Sequence, residues 1–364
     1  MVTEFKHRAI IDTIPSYVQG KPAPRISGLT PYKLSSNENP YPPLPGVQKV
    51  LEEGPLQHFN RYPDMRGTAI CQRIADLYKV KLENVVLGAG STEIITQLIN
   101  IVAGPGDEIV YPWRSFEAYP IIVANAGAVS VQVPLTADCR HDIDAMIAAL
   151  TDRTRLVIVN NPNNPTATSV SRQEVEKLMA AVPPDVLVLM DEAYFQFNQD
   201  PDRSIARQVW DRYPNMVIAQ TFSKAYGLAG LRIGYGIARP EIADAMMKAA
   251  LPFAVSDLAQ TAALTSLDLE DELMDRVKLI VSERDRLMNA LREQGWTTIP
   301  QSQANYFWLP LGPKTDQAYE RFRQQALAVR AFSGDGIRVS VGLPEANDRV
   351  LALCQELYND GFEA

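Results

Sequence analysis

The feature that most constrains the fold of this 364-residue chain is a series of short apolar runs separated by stretches of helix length. The runs are too short for helices and end at polar or turn-forming residues, which favours buried strands. Strands that alternate with helices predict an α/β fold with a mainly parallel sheet covered by helices on both faces. The seven predicted strands are Val85–Leu87, Glu108–Tyr111, Val129–Val133, Leu156–Asn160, Val186–Met190, Val217–Gln220 and Ile233–Ile237.

The length and the local patterns predict three parts, because a chain of this size exceeds one small core. Residues 1–45 are proline-rich and predict an extended N-terminal arm that lies on another surface, such as a second subunit. Residues 46–254 would form the large domain and residues 255–364 a smaller α+β C-terminal domain. For the latter we expect one long helical segment from about 255 to 294, strands at Asn305–Leu309 and Ile337–Val341, and a terminal helix at Glu345–Asn359.

Composition narrows the classes of partner. A net charge of −8 and a pI near 5.1 argue against nucleic acid or an anionic membrane as the main partner. The N-terminus lacks the apolar stretch of a signal peptide, and the three cysteines are widely spaced, so we expect a cytoplasmic protein. None of the three histidines pairs with another at metal-ligand spacing, so we expect neither a metal centre nor a histidine triad.

Lys224 lies in the segment most indicative of chemistry. Thr221 and Ser223 precede it, and Arg232 follows it across a glycine-spaced loop. This pattern suits an amine that forms a Schiff base with a carbonyl cofactor while hydroxyl groups and a guanidinium hold the phosphate of that cofactor. Pyridoxal 5′-phosphate (PLP) has both groups. The segment taken alone is equally compatible with a solvated lysine in a glycine-rich loop.

Polar residues follow three neighbouring strands of the predicted sheet. Asn164 follows the strand that ends at Asn160, Asp191 and Tyr194 follow the next, and Lys224 follows the third. Because ligands bind at the carboxyl ends of strands in open α/β sheets, we expect these side chains at one rim. Each also has a structural explanation, since Asn-Pro clusters form turns and Asp-Glu pairs cap helices.

The residue types match the needs of PLP. A buried carboxylate, Asp191, would keep the pyridine nitrogen protonated, and Asn164 and Tyr194 would donate to the ring O3′ oxygen. Phe116 would stack on the ring. For the phosphate we predict a helix start and fixed donors, namely Ala89, Gly90, Ser91, Thr221, Ser223 and Arg232.

A dinucleotide fingerprint beginning at Gly88-Ala89-Gly90 is the main alternative for this turn. The third glycine of that motif is replaced by Glu93, whose carboxylate would repel a pyrophosphate. A cofactor-free α/β binding protein is the alternative from a different functional class.

Taken together, the motifs resemble those of fold-type I PLP-dependent aminotransferases of the class-II group, in the histidinol-phosphate aminotransferase subfamily. Within that subfamily residues 112–120 and 329–332 are most similar to the bacterial aromatic (phenylalanine) aminotransferases. The resemblance covers nearly the whole chain. It rests on residues 36–40, 60–64, 161–166, 191–194, 223–225 with Arg232, and 336–342.

The resemblance implies roles that the residues alone do not show. Lys224 would move the proton in catalysis, assisted by Asp191 and Tyr194 at the cofactor. Arg338 would bind the substrate α-carboxylate, with Asn37 and Tyr17 also at the substrate, and Tyr17 would come from the arm of a neighbouring subunit. Tyr62 would reach the cofactor phosphate of a homodimer partner.

The resemblance also implies the reaction, which is amino transfer from an aromatic L-amino acid to 2-oxoglutarate. The alternative is histidinol-phosphate transamination, for which we expect an additional anion site at Arg330 or Arg114. One departure from the family pattern is Ala167, where glycine is usual. If that position requires a positive φ, alanine would carry backbone strain.

Overall fold

A computed structural model describes residues 6–12, 14–54 and 58–363, so residues 1–5 and 13 of the predicted arm lie outside the described part. The helices are α1 Pro45–Glu53, α2 Thr68–Tyr78, α3 Ser91–Val102, α4 Ala118–Ala126, α5 Ile143–Ala148, α6 Arg172–Ala181, α7 Ala206–Trp210, α8 Pro240–Ala249, α9 Asp257–Asp268, α10 Glu270–Glu293, α11 Thr315–Gln324 and α12 Pro344–Asn359. The strands are β1 Tyr32–Lys33, β2 Val85–Gly88, β3 Glu108–Trp113, β4 Val129–Pro134, β5 Thr154–Asn160, β6 Leu187–Asp191, β7 Met216–Thr221, β8 Gly234–Ile237, β9 Tyr306–Leu309, β10 Leu327–Ala328, β11 Arg330–Phe332 and β12 Gly336–Ser340.

A seven-stranded sheet forms the centre of the molecule, in the order β2-β8-β7-β6-β5-β3-β4. The pairs from β4 through β3, β5 and β6 to β7 are parallel, whereas β8 is antiparallel to both of its neighbours. All seven predicted strands are present and the sheet is mainly parallel, so the predicted α/β fold class is confirmed.

The central strands of this sheet are buried on both faces, and alternate residues of a strand enter different cores. In β5, Leu156 and Ile158 pack into the core under α3, α4 and α8, while Val157 and Val159 pack into the core shared with α2, α5 and α6. The central strands are therefore recognisable in the sequence as short apolar runs, whereas the edge strand β4 is mostly exposed or half-buried.

A three-stranded antiparallel sheet, in the order β11-β12-β9, lies in the C-terminal part of the chain. The arm is tied to that part, because β1 pairs in parallel with β10. The predicted single helical segment from 255 to 294 is wrong in one respect. It is two helices, α9 and α10, and Leu269 between them has a non-helical φ of −105° and ψ of 29°.

Several elements were not predicted. Helix α1 begins at Pro45, within the proline-rich stretch, the short strand β1 lies in the arm, and α11, β10 and β11 lie between the two predicted C-terminal strands. In the described part of the chain, no helix is both long and apolar enough to cross a membrane.

Gly234 sets how closely β8 approaches the turn that follows β2. A Cβ at this position would lie 2.5 Å from the amide nitrogen of Ser91 and 2.6 Å from the carbonyl carbon of Gly90. Both are backbone atoms, so a side chain here could be accommodated only by moving the turn and the start of α3.

We therefore expect Gly234→Ala to lower the free energy of unfolding by about 1–3 kcal/mol, the usual cost of overpacking. Urea unfolding of the variant measures this loss. Gly230→Ala is the matched control, since a Cβ there would meet no described atom within 4 Å, and it should stay within about 0.5 kcal/mol of the parent. Equal stability of the Gly234→Ala variant and the parent would contradict the packing argument.

Candidate active site

One cavity lies at the carboxyl ends of β5, β6 and β7, between the large sheet and the β11-β12-β9 sheet. It brings together twelve of the predicted site residues, which are Tyr17, Asn37, Ser91, Phe116, Asn164, Asp191, Tyr194, Thr221, Ser223, Lys224, Arg232 and Arg338. The strand ends meet here because parallel neighbours end on the same edge of a sheet.

Lys224 follows β7, and its amine faces the cavity. The Nζ atom donates to the carbonyl oxygen of Ser36 at 3.0 Å and lies 5.8 Å from the ring centre of Tyr194. Burial lowers the pKa of the Lys224 amine to about 7, and the positive charge of Arg338 adds to the effect. Near neutral pH a large fraction of this amine is therefore unprotonated and nucleophilic.

Asp191 ends β6 and is 3 % exposed. Its Oδ2 atom accepts a hydrogen bond from the Tyr119 hydroxyl at 2.6 Å, while its Oδ1 atom has no hydrogen-bond partner among the described residues. Burial raises the pKa of the Asp191 carboxyl to about 6, whereas the hydrogen bond from Tyr119 and the nearby backbone amide of Ala193 both lower it. A buried carboxylate with one unpartnered oxygen at a cavity wall is suited to a cationic N–H group.

Glu192 has a different role from its neighbour Asp191. Its carboxylate accepts from the amide of Ala206 at the start of α7 at 2.9 Å and from Gln220 at 3.1 Å. The helix-capping explanation for the Asp-Glu pair therefore applies to Glu192, and Asp191 is left facing the cavity.

Tyr194 and Asn164, which follow β6 and β5 of the large sheet, lie near Arg338 of β12 in the smaller sheet. The Tyr194 hydroxyl accepts from Asn37 Nδ2 at 3.0 Å, and burial raises the pKa of that hydroxyl to about 12. Arg338 donates through Nη1 to Asn164 Oδ1 and through Nη2 to the carbonyl oxygen of Ser35 at 2.6 Å. Arg338 Nε has no partner among the described residues, and burial lowers the pKa of this guanidinium.

The predicted phosphate-binding end is only partly arranged as expected. Thr221 donates to Ser223 at 3.0 Å, and Arg232 donates to Ser223 at 3.4 Å, so these three groups converge. Ser91 also lines the cavity, together with Thr92, which was not predicted. These two residues open α3, where the helix leaves amide groups available to an anion.

The amides of Ala89 and Gly90, which were predicted to bind the phosphate, already donate hydrogen bonds within the protein. The amide of Ala89 donates to Glu93, and the amide of Gly90 donates to the carbonyl oxygen of Gly88 at 2.7 Å. Gly90 contributes space instead, since its φ is +80° and a Cβ would lie 2.6 Å from Arg232 Nη2. Glu93 also accepts from the amide of Leu251 at 3.2 Å, so its carboxylate is turned into the protein and not toward the cavity.

Tyr17 and Phe116 line the mouth and wall of the cavity. Tyr17, in the arm, lies at the cavity of its own chain and is 56 % exposed, and its approach from the arm of a neighbouring subunit stays a prediction. The ring of Phe116 packs edge-on against Tyr119 at 5.5 Å between centroids.

Tyr62 lies outside the cavity and is 83 % exposed. Its ring contacts Phe253 at 4.7 Å between centroids. A role for Tyr62 at a cofactor phosphate would therefore need a second subunit, as the prediction assumed.

Both arginines considered for an additional anion site are paired with carboxylates. Arg330 binds Glu117 at 2.5 Å, and Arg114 binds Asp335 through Nε at 2.7 Å. Neither guanidinium is left unpaired to receive a substrate phosphate.

Sequence reasoning missed several residues that position the site. Tyr119 holds Asp191, Ser36 provides the carbonyl oxygen for Lys224, and Asn160 lines the cavity. Asn160 ends a predicted strand, so it could have been predicted in the same way as the other polar residues at strand ends. Tyr119 lies inside α4, and nothing in its local sequence points to Asp191, which is 72 residues away.

Ala167 has the left-handed conformation on which the strain prediction depended. Its φ is +63° and its side chain is fully buried. Its amide donates to the carbonyl oxygen of Asn163 at 2.7 Å, which closes the loop that carries Asn164. The condition for strain is therefore met, and alanine here carries about 1–2 kcal/mol of backbone strain.

Residues 30–353 match the family model described as aminotransferase class I and II. The chain belongs to this aminotransferase family. It is 50% identical over 358 residues to the aromatic amino acid aminotransferase of Streptomyces avermitilis, covering 98% of this chain and 99% of that protein. It is 48% identical over 344 residues to the aromatic amino acid aminotransferase of Cutibacterium acnes, covering 94% and 96%.

Solved structures share the fold. The histidinol-phosphate aminotransferase of Sinorhizobium meliloti, in complex with pyridoxal-5′-phosphate, superposes with a TM-score of 0.86 at 24% identity, covering 99% of each chain. A double mutant of the aspartate aminotransferase of Thermus thermophilus superposes with a TM-score of 0.80 at 22% identity, covering 92% of each chain. The fold is therefore that of the fold-type I aminotransferases, as predicted.

The pKa of Lys224 can be tested in the cofactor-free protein. We expect acylation of this amine to increase with pH through a midpoint near 7. Arg338→Gln should move the midpoint upward, because it removes a neighbouring positive charge that disfavours the protonated amine. Peptide mass spectrometry after brief labelling measures both, and Lys224→Met assigns the signal. A midpoint near that of an ordinary lysine in both proteins would contradict the assignment.

Proposed function

We propose that this protein is a PLP-dependent aminotransferase that moves the amino group of an aromatic L-amino acid to 2-oxoglutarate. The observation that carries the proposal is that two groups line the same cavity. One is the buried Asp191 oxygen that has no hydrogen-bond partner among the described residues, and the other is the Lys224 amine, whose pKa is lowered. An amine nucleophile and a carboxylate that stabilises a protonated ring nitrogen are two groups that a protein can supply for PLP chemistry.

The residues of the cavity fit PLP. Asp191 Oδ1 would hold the pyridine N–H, and Asn164 and Tyr194 would donate to the O3′ oxygen. Phe116 would lie against the ring. The phosphate would be held by the start of α3 at Ser91, together with the side chains of Thr221, Ser223 and Arg232. Ala89 and Gly90 would instead shape the turn between β2 and α3.

PLP, when bound, supplies an aldehyde that exchanges amines and a ring that draws electrons from the substrate Cα. Lys224 would have two roles. Its Nζ atom would hold the cofactor in the absence of substrate, and the free amine would then take the proton from the substrate Cα and deliver it to the cofactor carbon that carries the transferred nitrogen. A pKa of about 7 suits the second role, since the unprotonated amine is the base that takes the proton and the protonated amine is the acid that returns it.

Arg338 would bind the α-carboxylate of both substrates. Its Nε atom is unpartnered and its two terminal nitrogens are already oriented by Asn164 and by the carbonyl oxygen of Ser35. A planar guanidinium fixed in this way can present a fork to a carboxylate with little loss of side-chain freedom. Asn37 supports the arrangement through Tyr194, and Tyr17 would close over the substrate.

The aromatic substrate is proposed from two observations. The relatives at 48–50% identity are named for aromatic amino acids. The cavity also presents the aromatic side chains of Phe116, Phe332 and Tyr17. Histidinol phosphate is disfavoured, because Arg330 and Arg114 are both occupied by carboxylates.

We further propose a cytoplasmic homodimer built from an arm at 1–45, a large domain at 46–254 and a smaller domain at 255–364. The contact between Tyr62 and Phe253 lies among exposed apolar residues of the same two segments, since Phe59 is 78 %, Leu251 70 % and Phe253 43 % exposed. Such a patch is unusual on a monomer and suits a subunit contact.

Replacing the lysine tests the reaction. Lys224→Ala should lower turnover of phenylalanine with 2-oxoglutarate by about 10²–10⁴-fold, the usual contribution of a positioned acid–base group. It should still bind PLP, because Asp191 and Arg232 are unchanged, and equilibrium dialysis measures this. Lys248→Ala, at an exposed lysine, is the control. Undiminished turnover of Lys224→Ala would exclude the proposed role.

Tyr119→Phe tests the carboxylate. The change removes the hydrogen bond from the Tyr119 hydroxyl, which lowers the pKa of Asp191. The pKa of Asp191 should therefore rise above about 6, and this carboxyl should be less ionised at neutral pH. We expect PLP affinity to fall by about tenfold and to fall further as the pH is lowered from 8 to 6. Fluorescence titration of the apoprotein measures this.

Tyr111→Phe is the matched control for that change. Tyr111 is also buried and packs against Tyr119, but its hydroxyl bonds Gln132 and not Asp191. An equal loss of PLP affinity in the two variants would show that the effect comes from packing.

A further inference from the structure

Glu117 and Arg330 form an ion pair in the wall of the cavity that the proposed reaction does not use. Glu117 Oε2 accepts from Arg330 Nη2 at 2.5 Å and from Nε at 3.1 Å. The side chains are 30 % and 12 % exposed, respectively. The pair is therefore only partly screened by water, and its charges act on whatever occupies the cavity.

The pair joins two distant parts of the chain next to the proposed carboxylate site. Glu117 directly precedes α4, and Arg330 begins β11, opposite Arg338 in the antiparallel pairing of β11 with β12. Directly opposed residues of antiparallel strands present their side chains on the same face. The positive charge of Arg330 is also one of the influences that lower the pKa of Arg338, after the dominant effect of burial.

Two neighbouring guanidinium groups would make this end of the cavity strongly attractive to a substrate with two anionic groups. Glu117 cancels one of the two charges. The remaining surface near the pair is apolar and aromatic, because Phe116 and Phe332 line it and the Arg330 guanidinium lies 5.5 Å from the ring centre of Phe332. An uncharged aromatic side chain can rest there without breaking the ion pair.

We propose that Glu117 determines substrate specificity by occupying Arg330. With the pair intact, the cavity accepts one carboxylate at Arg338 and an uncharged side chain beyond it. A substrate with a second carboxylate must displace Glu117 from Arg330 and bind in its place. This proposal rests on the proposed function, and it explains how one cavity can favour aromatic side chains and still admit a dicarboxylic oxo acid.

Binding of two unreactive carboxylic acids tests the proposal without turnover. Isothermal calorimetry on the PLP-loaded protein gives dissociation constants for glutarate, which has two carboxylates, and for 3-phenylpropionate, which has one and an aromatic ring. Glu117→Gln keeps the size of the side chain and removes its charge. We expect it to tighten glutarate binding about tenfold and to change 3-phenylpropionate binding by less than about threefold.

A matched control is available in the second arginine–carboxylate pair. Asp335→Asn removes the negative charge that pairs with Arg114, and neither Arg114 nor Asp335 lines the cavity. It should leave both dissociation constants unchanged. Arg330→Gln tests the pair from the other side and should weaken glutarate about tenfold with little effect on 3-phenylpropionate.

The ratio of the two dissociation constants decides the proposal. An unchanged ratio in both Glu117→Gln and Arg330→Gln would overturn it, as would an equal shift of both ligands, which indicates a merely structural ion pair. Phenylalanine turnover by the parent protein distinguishes failure of the proposed role of Glu117 from failure of the proposed function. If the parent transaminates phenylalanine and the ratio does not move, only the role of Glu117 fails; if the parent neither binds PLP nor turns over phenylalanine, the proposed function fails first.

Discussion

Burial of the Asp191 carboxylate, with one oxygen bonded to Tyr119 and the other unpartnered among the described residues, is the constraint on which the rest of the site depends. A lone charge at this depth is costly unless a cation completes it, and the cost is reflected in the raised pKa of about 6. The sheet makes the position possible, because β6 is central and ends directly at the cavity. A bound ring with a protonated nitrogen would supply the missing partner.

The other charges of the cavity are arranged around this one. Burial lowers the pKa of both Lys224 and Arg338, the charge of Arg338 lowers the pKa of Lys224 further, and the charge of Arg330 acts in the same way on Arg338. The result is an amine that is half neutral near pH 7 beside a guanidinium that keeps its charge, since the pKa of an arginine lies far above neutrality even when lowered. Glu117 limits the positive charge at the far end, so that the cavity holds a single strong carboxylate site.

The sequence allowed the central sheet and the strand-end residues to be predicted, for a common physical reason. Strands buried on both faces must be apolar throughout, so they appear as short runs, and polar residues at their ends stand out. Asn164, Asp191 and Lys224 were found in this way. Tyr119, Ser36 and the Glu117–Arg330 pair were not, because their partners lie 72, 188 and 213 residues away and only tertiary packing brings them together. The hydrogen bond from the Ala89 amide to Glu93 was also not predicted, since it depends on the direction in which the Glu93 side chain points.

Borohydride reduction of the purified, PLP-loaded protein, followed by peptide mass spectrometry, tests the role of Lys224 directly. We expect a pyridoxyl phosphate group fixed to the peptide that contains Lys224, together with loss of the visible absorbance of the protein. We expect no such adduct in Lys224→Ala. Attachment at a different lysine, or no adduct on a protein that has bound PLP, would contradict the assignment of Lys224 and with it the organisation of the site around Asp191.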